Sequence, residues 1–440
     1  MTKDLQHAPD DAVRHPNGDA LRELLERFAI PRWAPVRLSH DAARLDDVAA
    51  AVAEQFSRPG IGDQIQPGAR VALTAGSRGV DRIGDVLAAT VAEVQRRGGR
   101  PFIVPAMGSH GGAVAEGQVA LLAHYGVTEH HMGCPIRASM DVVELGRLPS
   151  GERIYTDRIA YAEADLVIPV NRIKPHTDFH GTVESGLFKM LAIGLGKQRG
   201  ADALHASGFE NFPWLIPAAG RFVLEHLPIP FGIATVENGY SQLALLEAIP
   251  SSMIATREPA LLEEARRRMA RLPVAQLDVL VVDQMGKEIS GAGMDPNVLG
   301  RYYQQRLPGG PDVQRIIVLD LTDATEGNAA GVGMADVCTE RVARKIDRMK
   351  TYINQLTAKL PEGGRLPLVA PNDRAAIQMA IASLRGAAYE AIRLLRIRST
   401  KDLTQVWASE ATRAELLAGG RAEPLGELAQ PAFHADGNLW

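Results

Sequence analysis

Apolar positions recur with helical spacing over 19–28 and 41–56. RVALT at 70–74 then reads as a buried strand and runs directly into AGSRGV. A helix is predicted over 83–97. A second strand over 101–106 runs into MGSHGG, and a second helix over 114–125 follows. Strand, glycine-rich turn and helix in alternation predict a parallel sheet covered by helices. DLVIPV at 165–170 predicts a third strand, ahead of a loop with His176. Helices are expected over 185–196 and 211–227, and a strand over 232–236. The charged text at 259–271 reads as an amphipathic surface helix.

A second unit opens after a boundary near 272–273. Strands are predicted over 277–283 and 315–321, and a helix-rich stretch over 331–359. A helix over 373–385 and a last one over 402–417 close the chain. The expected fold class is α/β, with two domains of helix-covered, mostly parallel sheets and the active site in the cleft between them. Residues 1–18 read as a flexible tail, 19–272 as the N-terminal domain and 273–440 as the C-terminal domain, whose last helix can pack back on the first. Ligands of such sheets sit at the carboxyl ends of strands, where Arg78 and His110 fall.

Composition narrows the functional classes. At 440 residues, with 46% hydrophobic and 23% charged, the chain has an ordinary globular balance. A net charge of −4 and only 5% aromatic residues argue against a nucleic-acid partner. The longest apolar runs, at 231–236 and 279–282, are too short to span a bilayer, and no apolar signal segment opens the sequence. No membrane partner and a cytoplasmic location are expected. Cys134 and Cys338 form no C-x-x-C pair and read as inert buried thiols.

The chemistry concentrates in GTVESGLFKMLAIGLGKQRGADALH at 181–205, which holds Lys189 and His205. Lysine can bond covalently to a carbonyl-type cofactor, and histidine can ligate a metal or move a proton. His110 in MGSHGG and His176 in RIKPHTDFHG join the set. GLGKQRG at 194–200 has neither the spacing of a dinucleotide fingerprint nor the Ser or Thr of a P-loop. Arg78 in AGSRGV is a candidate anion clamp among glycines. Gln284 and Lys287 can reach a cleft and hold a carboxylate or hydroxyl. His124, His130 and His131 read as surface residues.

In their order, the strand–SR–helix, strand–GSHGG–helix, EADLVIPVNRIKPH and SGLFKMLAIGLG segments with His205 downstream resemble the nickel-dependent lactate racemase family of 2-hydroxyacid racemases and epimerases. The resemblance covers 65–300 and includes the spacing of His110 to His176 and of Lys189 to His205. It implies a nickel pincer nucleotide, a pyridinium mononucleotide that holds nickel through S, C and S. Lys189 would carry it as a thioamide, and His205 would be the fourth nickel ligand. Ser77, Arg78 and Gly108 would also bind the cofactor. His110 and His176 would be the acid/base pair, and Arg78, Gln284 and Lys287 would hold the substrate. The implied reaction is hydride transfer from the α-carbon of a 2-hydroxyacid to the cofactor, and return to the other face. Partners would be that small-molecule substrate and the cofactor-maturation enzymes, with a homodimer as the default assembly.

The chain departs from the family in two places. The gap from His176 to Lys189 is longer, which brings Asp178, His180 and Glu184 near the site and makes His180 an alternative base to His176. Ala75 stands where the family has an acidic residue. A zinc-type hydrolase using His110, His176 and His205, or a non-catalytic nickel- or nucleotide-binding homologue, are the competing readings.

Overall fold

The computed structural model describes residues 18–76, 79–303, 307, 309–386, 388 and 391–440. Its strands in the first half are β1 (Trp33–Leu38), β2 (Arg70–Ala75), β3 (Arg100–Pro105), β4 (Val142–Arg147), β5 (Arg153–Asp157), β6 (Leu166–Ile168), β7 (Val170–Arg172), β8 (Phe231–Glu237) and β9 (Leu243–Pro250). The second half adds β10 (Gln276–Met285), β11 (Asp312–Leu321), β12 (Val337–Thr339), β13 (Leu368–Ala370), β14 (Leu394–Ser399), β15 (Asp402–Ser409) and β16 (Ala422–Pro424).

β2 and β3 pair in parallel, joined by the helix Ile83–Arg96, and β6 flanks β2 in parallel. After its first residue each of β2 and β3 is buried throughout, as expected of strands covered by helices on both faces. The predicted strand–turn–helix alternation is therefore present, and the glycine-rich loops leave β2 and β3 at their carboxyl ends.

The expected third strand is two. Pro169 has no N–H to give a ladder, and the chain changes sheets there. β6 stays with β2, whereas β7 pairs with β8 in a second three-stranded sheet. The Val170 N–H donates to Thr74 Oγ1 at 3.0 Å, and the Pro169 carbonyl accepts from Ile233 N–H at 2.8 Å. This step carries the His176 loop onto the sheet that also packs against the Lys189 segment.

The second half builds an eight-stranded sheet in the order β13-β12-β11-β10-β14-β15-β1-β16. From β13 to β14 it is parallel, and β15, β1 and β16 extend it antiparallel. β1, from the start of the chain, pairs Trp33–Arg37 with Ser409–Gln405. The preceding helix Gly18–Leu25 docks beside the helix Asp373–Ala382, where Gln378 Nε2 donates to the Leu25 carbonyl at 2.9 Å. The helix expected over 41–56 begins at Val48, capped by Asp47. The helix expected over 402–417 is β15 followed by the helix Glu410–Ala418. Thr404, Val406 and Trp407 favour a pleated strand once β14 and β1 stand on either side. No helix among the described residues is long and apolar enough to cross a membrane.

Candidate active site

Lys189 ends a short helical turn, Leu187–Lys189, that continues as a π-turn over Met190–Gly194. The Leu195 N–H reaches back to the Met190 carbonyl at 2.9 Å, the i to i+5 bond that defines such a turn. Two glycines permit this placement. A Cβ on Gly194 would stand 2.7 Å from the Ala106 carbonyl oxygen, so only glycine lets the turn lie against the end of β3. A Cβ on Gly186 would stand 2.0 Å from Glu258 Oε1. Glu258 is fully buried, and its carboxylate accepts the Phe188 N–H at 3.2 Å, capping the turn that carries Lys189. Burial pushes its pKa up to about 8.

The GSHGG loop docks on this segment. The Gly108 N–H donates to the Gly194 carbonyl at 3.2 Å. Gln118 Nε2 donates to the Gly108 and His110 carbonyls at 3.0 and 3.3 Å, and its Oε1 accepts from Lys197 Nζ at 3.3 Å. His110 is half-buried at the head of the short turn Gly111–Ala113. The loop after β2 approaches from the other side, since Gly76 lies against Met190. Ser77 and Arg78 lie outside the described residues.

His176 and His205 share an aromatic wall. Their rings lie 6.0 and 5.4 Å from that of Phe209, and Phe179 and Phe212 close the cluster. His205 ends the helix Lys197–His205 and gives its Nδ1 proton to the Ala201 carbonyl at 2.7 Å. A neutral imidazole has one proton, so Nε2 keeps a bare lone pair. Burial lowers the His205 pKa to about 4, against the pull of the Ala201 carbonyl. His176 is buried, with Nε2 on Lys189 Nζ at 2.5 Å and Nδ1 accepting the Asp178 N–H at 3.0 Å.

One carboxylate organises the longer loop. Glu184, buried, accepts the N–H groups of His176 and Gly181 at 2.5 and 3.1 Å, faces His180 Nδ1 at 3.1 Å, and is neutralised by Arg266. His180 Nε2 meets the Tyr302 hydroxyl at 3.1 Å. Tyr302 donates to Asn297 Oδ1, and Asn297 Nδ2 donates to the His176 carbonyl at 3.0 Å. Thr177, Asp178, Phe179, His180, Phe209 and Tyr302 line a recess of about 100 Å³, open to solvent.

Lys189, His176 and His205 therefore share one neighbourhood, and the His110 loop is bonded to it. From the second half of the chain, Asn297 and Tyr302 reach it through hydrogen bonds, Tyr303, Leu307 and Leu360 line the recess, and Asp295 Oδ2 lies 3.7 Å from Lys174 Nζ. Gln284 is exposed on β10, and Lys287 Nζ donates to Gly291 O and Asn354 Oδ1. The sequence signal for the residues that do arrive was the helix start Asp295-Pro-Asn297, where Asp295 caps the turn Pro296–Leu299. His124, His130 and His131 are exposed, and Cys134 and Cys338 are buried free thiols, as expected.

No family model matches the chain, and no curated protein does. Among solved structures, it is similar to a protein from Thermotoga maritima, with 14% identity, TM-score 0.49 and 79% of this chain and 84% of that one covered. It is also similar to the lactate racemase apoprotein from Thermoanaerobacterium thermosaccharolyticum, with 15% identity, TM-score 0.47 and 84% and 89% covered. At these values neither overlay bears on activity.

Proposed function

We propose that this protein is a racemase or epimerase of a 2-hydroxyacid that works with a nickel pincer nucleotide held on Lys189. The observation that carries the reading is His205, a half-buried, neutral imidazole with a bare Nε2, in the same neighbourhood as Lys189 and His176. The donor set fits the group. Among the described residues no three His, Cys, Asp or Glu side chains converge as a metal site. A metal that brings three ligands of its own needs only one from the protein, and imidazole suits nickel. The hydrolytic zinc reading needs three protein donors, which these residues do not assemble.

Lys189 would hold the group through its Nζ, and His205 would complete the metal's coordination. The glycine-rich loops after β2 and β3, with Gly108, Ser77 and Arg78, would take the nucleotide phosphate. When bound, the group supplies the hydride acceptor. The chain's own work is proton transfer and positioning. Removing the α-hydrogen as hydride is coupled to loss of the hydroxyl proton, and an imidazole titrates in the range that allows it both to take and to return that proton. His110 and His176 are assigned as this pair, one for each antipode. Phe179, Phe209 and Phe212 would give the reacting centre an apolar wall. Arg78, Gln284 and Lys287 remain the substrate-holding candidates, joined by His180 and Tyr302 on the recess. The reading places the enzyme in the cytoplasm beside its maturation enzymes, with a homodimer as the default.

The test is coexpression with cofactor-making enzymes, then peptide mass and nickel analysis, then chiral turnover on a panel of 2-hydroxyacids. A cofactor-sized adduct on Lys189, with nickel and interconversion of antipodes, is expected. An unmodified Lys189 without nickel, in a host that matures other proteins of this type, would overturn the reading. Adduct and nickel without turnover on any acid would favour a binding protein.

A further inference from the structure

The hydrogen bonds of His176 constrain the charge on Lys189. Nδ1 of the ring accepts the backbone N–H of Asp178 at 3.0 Å. A neutral imidazole carries one proton, and here that proton must sit on Nε2. Nε2 meets Lys189 Nζ. An ammonium has three donors and no lone pair, so it cannot accept that proton. The other tautomer fares worse, because a proton on Nδ1 would face the Asp178 N–H head to head. The same objection holds for the imidazolium. The contact is satisfied when Nζ is a neutral amine that accepts from Nε2–H.

We propose that His176 holds Lys189 as a neutral, nucleophilic amine at neutral pH, so that Lys189 stands ready for acylation by a carboxylic or thiocarboxylic group bearing a leaving group. This deepens the function proposed above and rests on it only for the identity of the acyl partner. The backbone of Asp178 selects the tautomer, and the Glu184 carboxylate, bonded to the His176 N–H at 2.5 Å, holds the loop that presents both. The Asp178 carboxylate accepts from Thr177 Oγ1 at 2.6 Å and stands 3.7 Å from Nδ1, beyond hydrogen-bond reach. Glu184 is paired with Arg266.

A neutral lysine is a nucleophile, whereas an ammonium is not. In the acylation the Nζ lone pair forms the bond to the acyl carbon. The bond to the leaving group breaks and takes its electron pair, and one N–H proton departs with the leaving group. No oxidant or reductant enters. His176 would thus have two successive tasks, priming the lysine before the cofactor is attached and moving a proton afterwards.

The deciding measurement is NMR of full-length protein labelled with ¹³C at the lysine ε-carbons, with K189R assigning the Lys189 resonance. At pH 7 that resonance is expected at the position of a neutral amine, and in H176A at that of an ammonium. Acylation by a small activated ester, read by peptide mass, should be on the order of 100-fold faster at Lys189 in the wild type than in H176A at pH 7. An ordinary lysine is neutral only to a few parts in ten thousand there. An ammonium position for Lys189 in the wild type at pH 7 would overturn the proposal whatever H176A does. The two proposals can fail separately. A neutral Lys189 that never acquires an adduct sinks the cofactor reading alone, and an adduct on a lysine that is an ammonium sinks this one alone.

Discussion

Lys197 Nζ lies 3.0 Å from Asp157 Oδ2, with both side chains wholly out of solvent. Lys197 also donates to the Pro105 carbonyl, at the end of β3. Burial pushes the Asp157 pKa up and the Lys197 pKa down, each opposed by the partner's charge. Removing one partner leaves a buried charge uncompensated, so D157N or K197M should cost about 3–5 kcal/mol in urea unfolding. The double variant D157L/K197M should cost much less than the sum of the two singles. Additive losses would mean that the two charges do not compensate each other.

Gln118 ties that pair to the His110 loop through the Gly108 and His110 carbonyls. Q118A should lose about 1–2 kcal/mol of stability, the usual loss for a buried hydrogen-bonding amide. Its effect on turnover of the loaded enzyme should fall on kcat more than on KM, because in the proposed function the loop positions an acid/base group rather than the substrate. A pure KM effect would remove His110 from that role.

The His205 shift gives a pH dependence with a definite sign. Its pKa is about 4 in the fold, against 6.5 as the ordinary value. Between these values the unfolded chain binds a proton that the native state refuses, so stability rises with pH. The melting temperature of the unloaded protein should therefore decline as the pH falls from 6.5 towards 4, and H205Q should decline less. Parallel curves would show that burial of His205 contributes nothing to acid sensitivity. H205Q should also bind no nickel on coexpression.

Glu258 has the opposite sign. Its pKa rises from 4.5 to about 8 on folding, through burial opposed by the Phe188 and Leu187 N–H groups. The native state keeps a proton that the unfolded chain releases, so this contribution is full below 4.5 and is lost as the pH rises towards 8. E258Q keeps an acceptor for the Phe188 N–H and cannot ionise. Its unfolding free energy should be flatter than the wild type's between pH 5 and 8, and an equal slope would show that Glu258 does not titrate there.

Tyr302 joins the two halves of the chain at the recess, between His180 Nε2 and Asn297 Oδ1. Y302F removes two hydrogen bonds of about 1 kcal/mol each. Turnover with bulkier hydroxyacids should change more than with lactate, since the hydroxyl borders the recess. Identical ratios across the panel would place the substrate elsewhere.

Much of the first half was legible because its signals are local. Buried runs at β2 and β3, each ending in a glycine-rich turn and followed by a periodic helix, need no information from elsewhere in the chain. The residue types of Lys189, His205, His110 and His176 marked the candidate site in the same way. Where the reading missed, a distant partner decided. β1 and β15 are strands because they pair with each other, and DLVIPV divides because β2 captures Leu166–Ile168 and β8 captures the chain from Val170. Asn297 is marked only by the helix start at Asp295 and Tyr302 by no motif, and they matter because the fold delivers them to the His176 loop.

The sequence by itself determined the α/β alternation, the glycines that let the Lys189 turn lie against β3, and the inventory of lysine and imidazoles. These follow from side-chain shape and period, which are properties of neighbours in the chain. Only the tertiary structure decided which imidazole nitrogen carries a proton, which carboxylates are buried, and which residue of the second half meets the first. A tautomer depends on a carbonyl or an N–H set at 3 Å, and burial depends on what packs overhead. Ala201 and Phe209 supply those conditions for His205, and Asp178 and Lys189 supply them for His176.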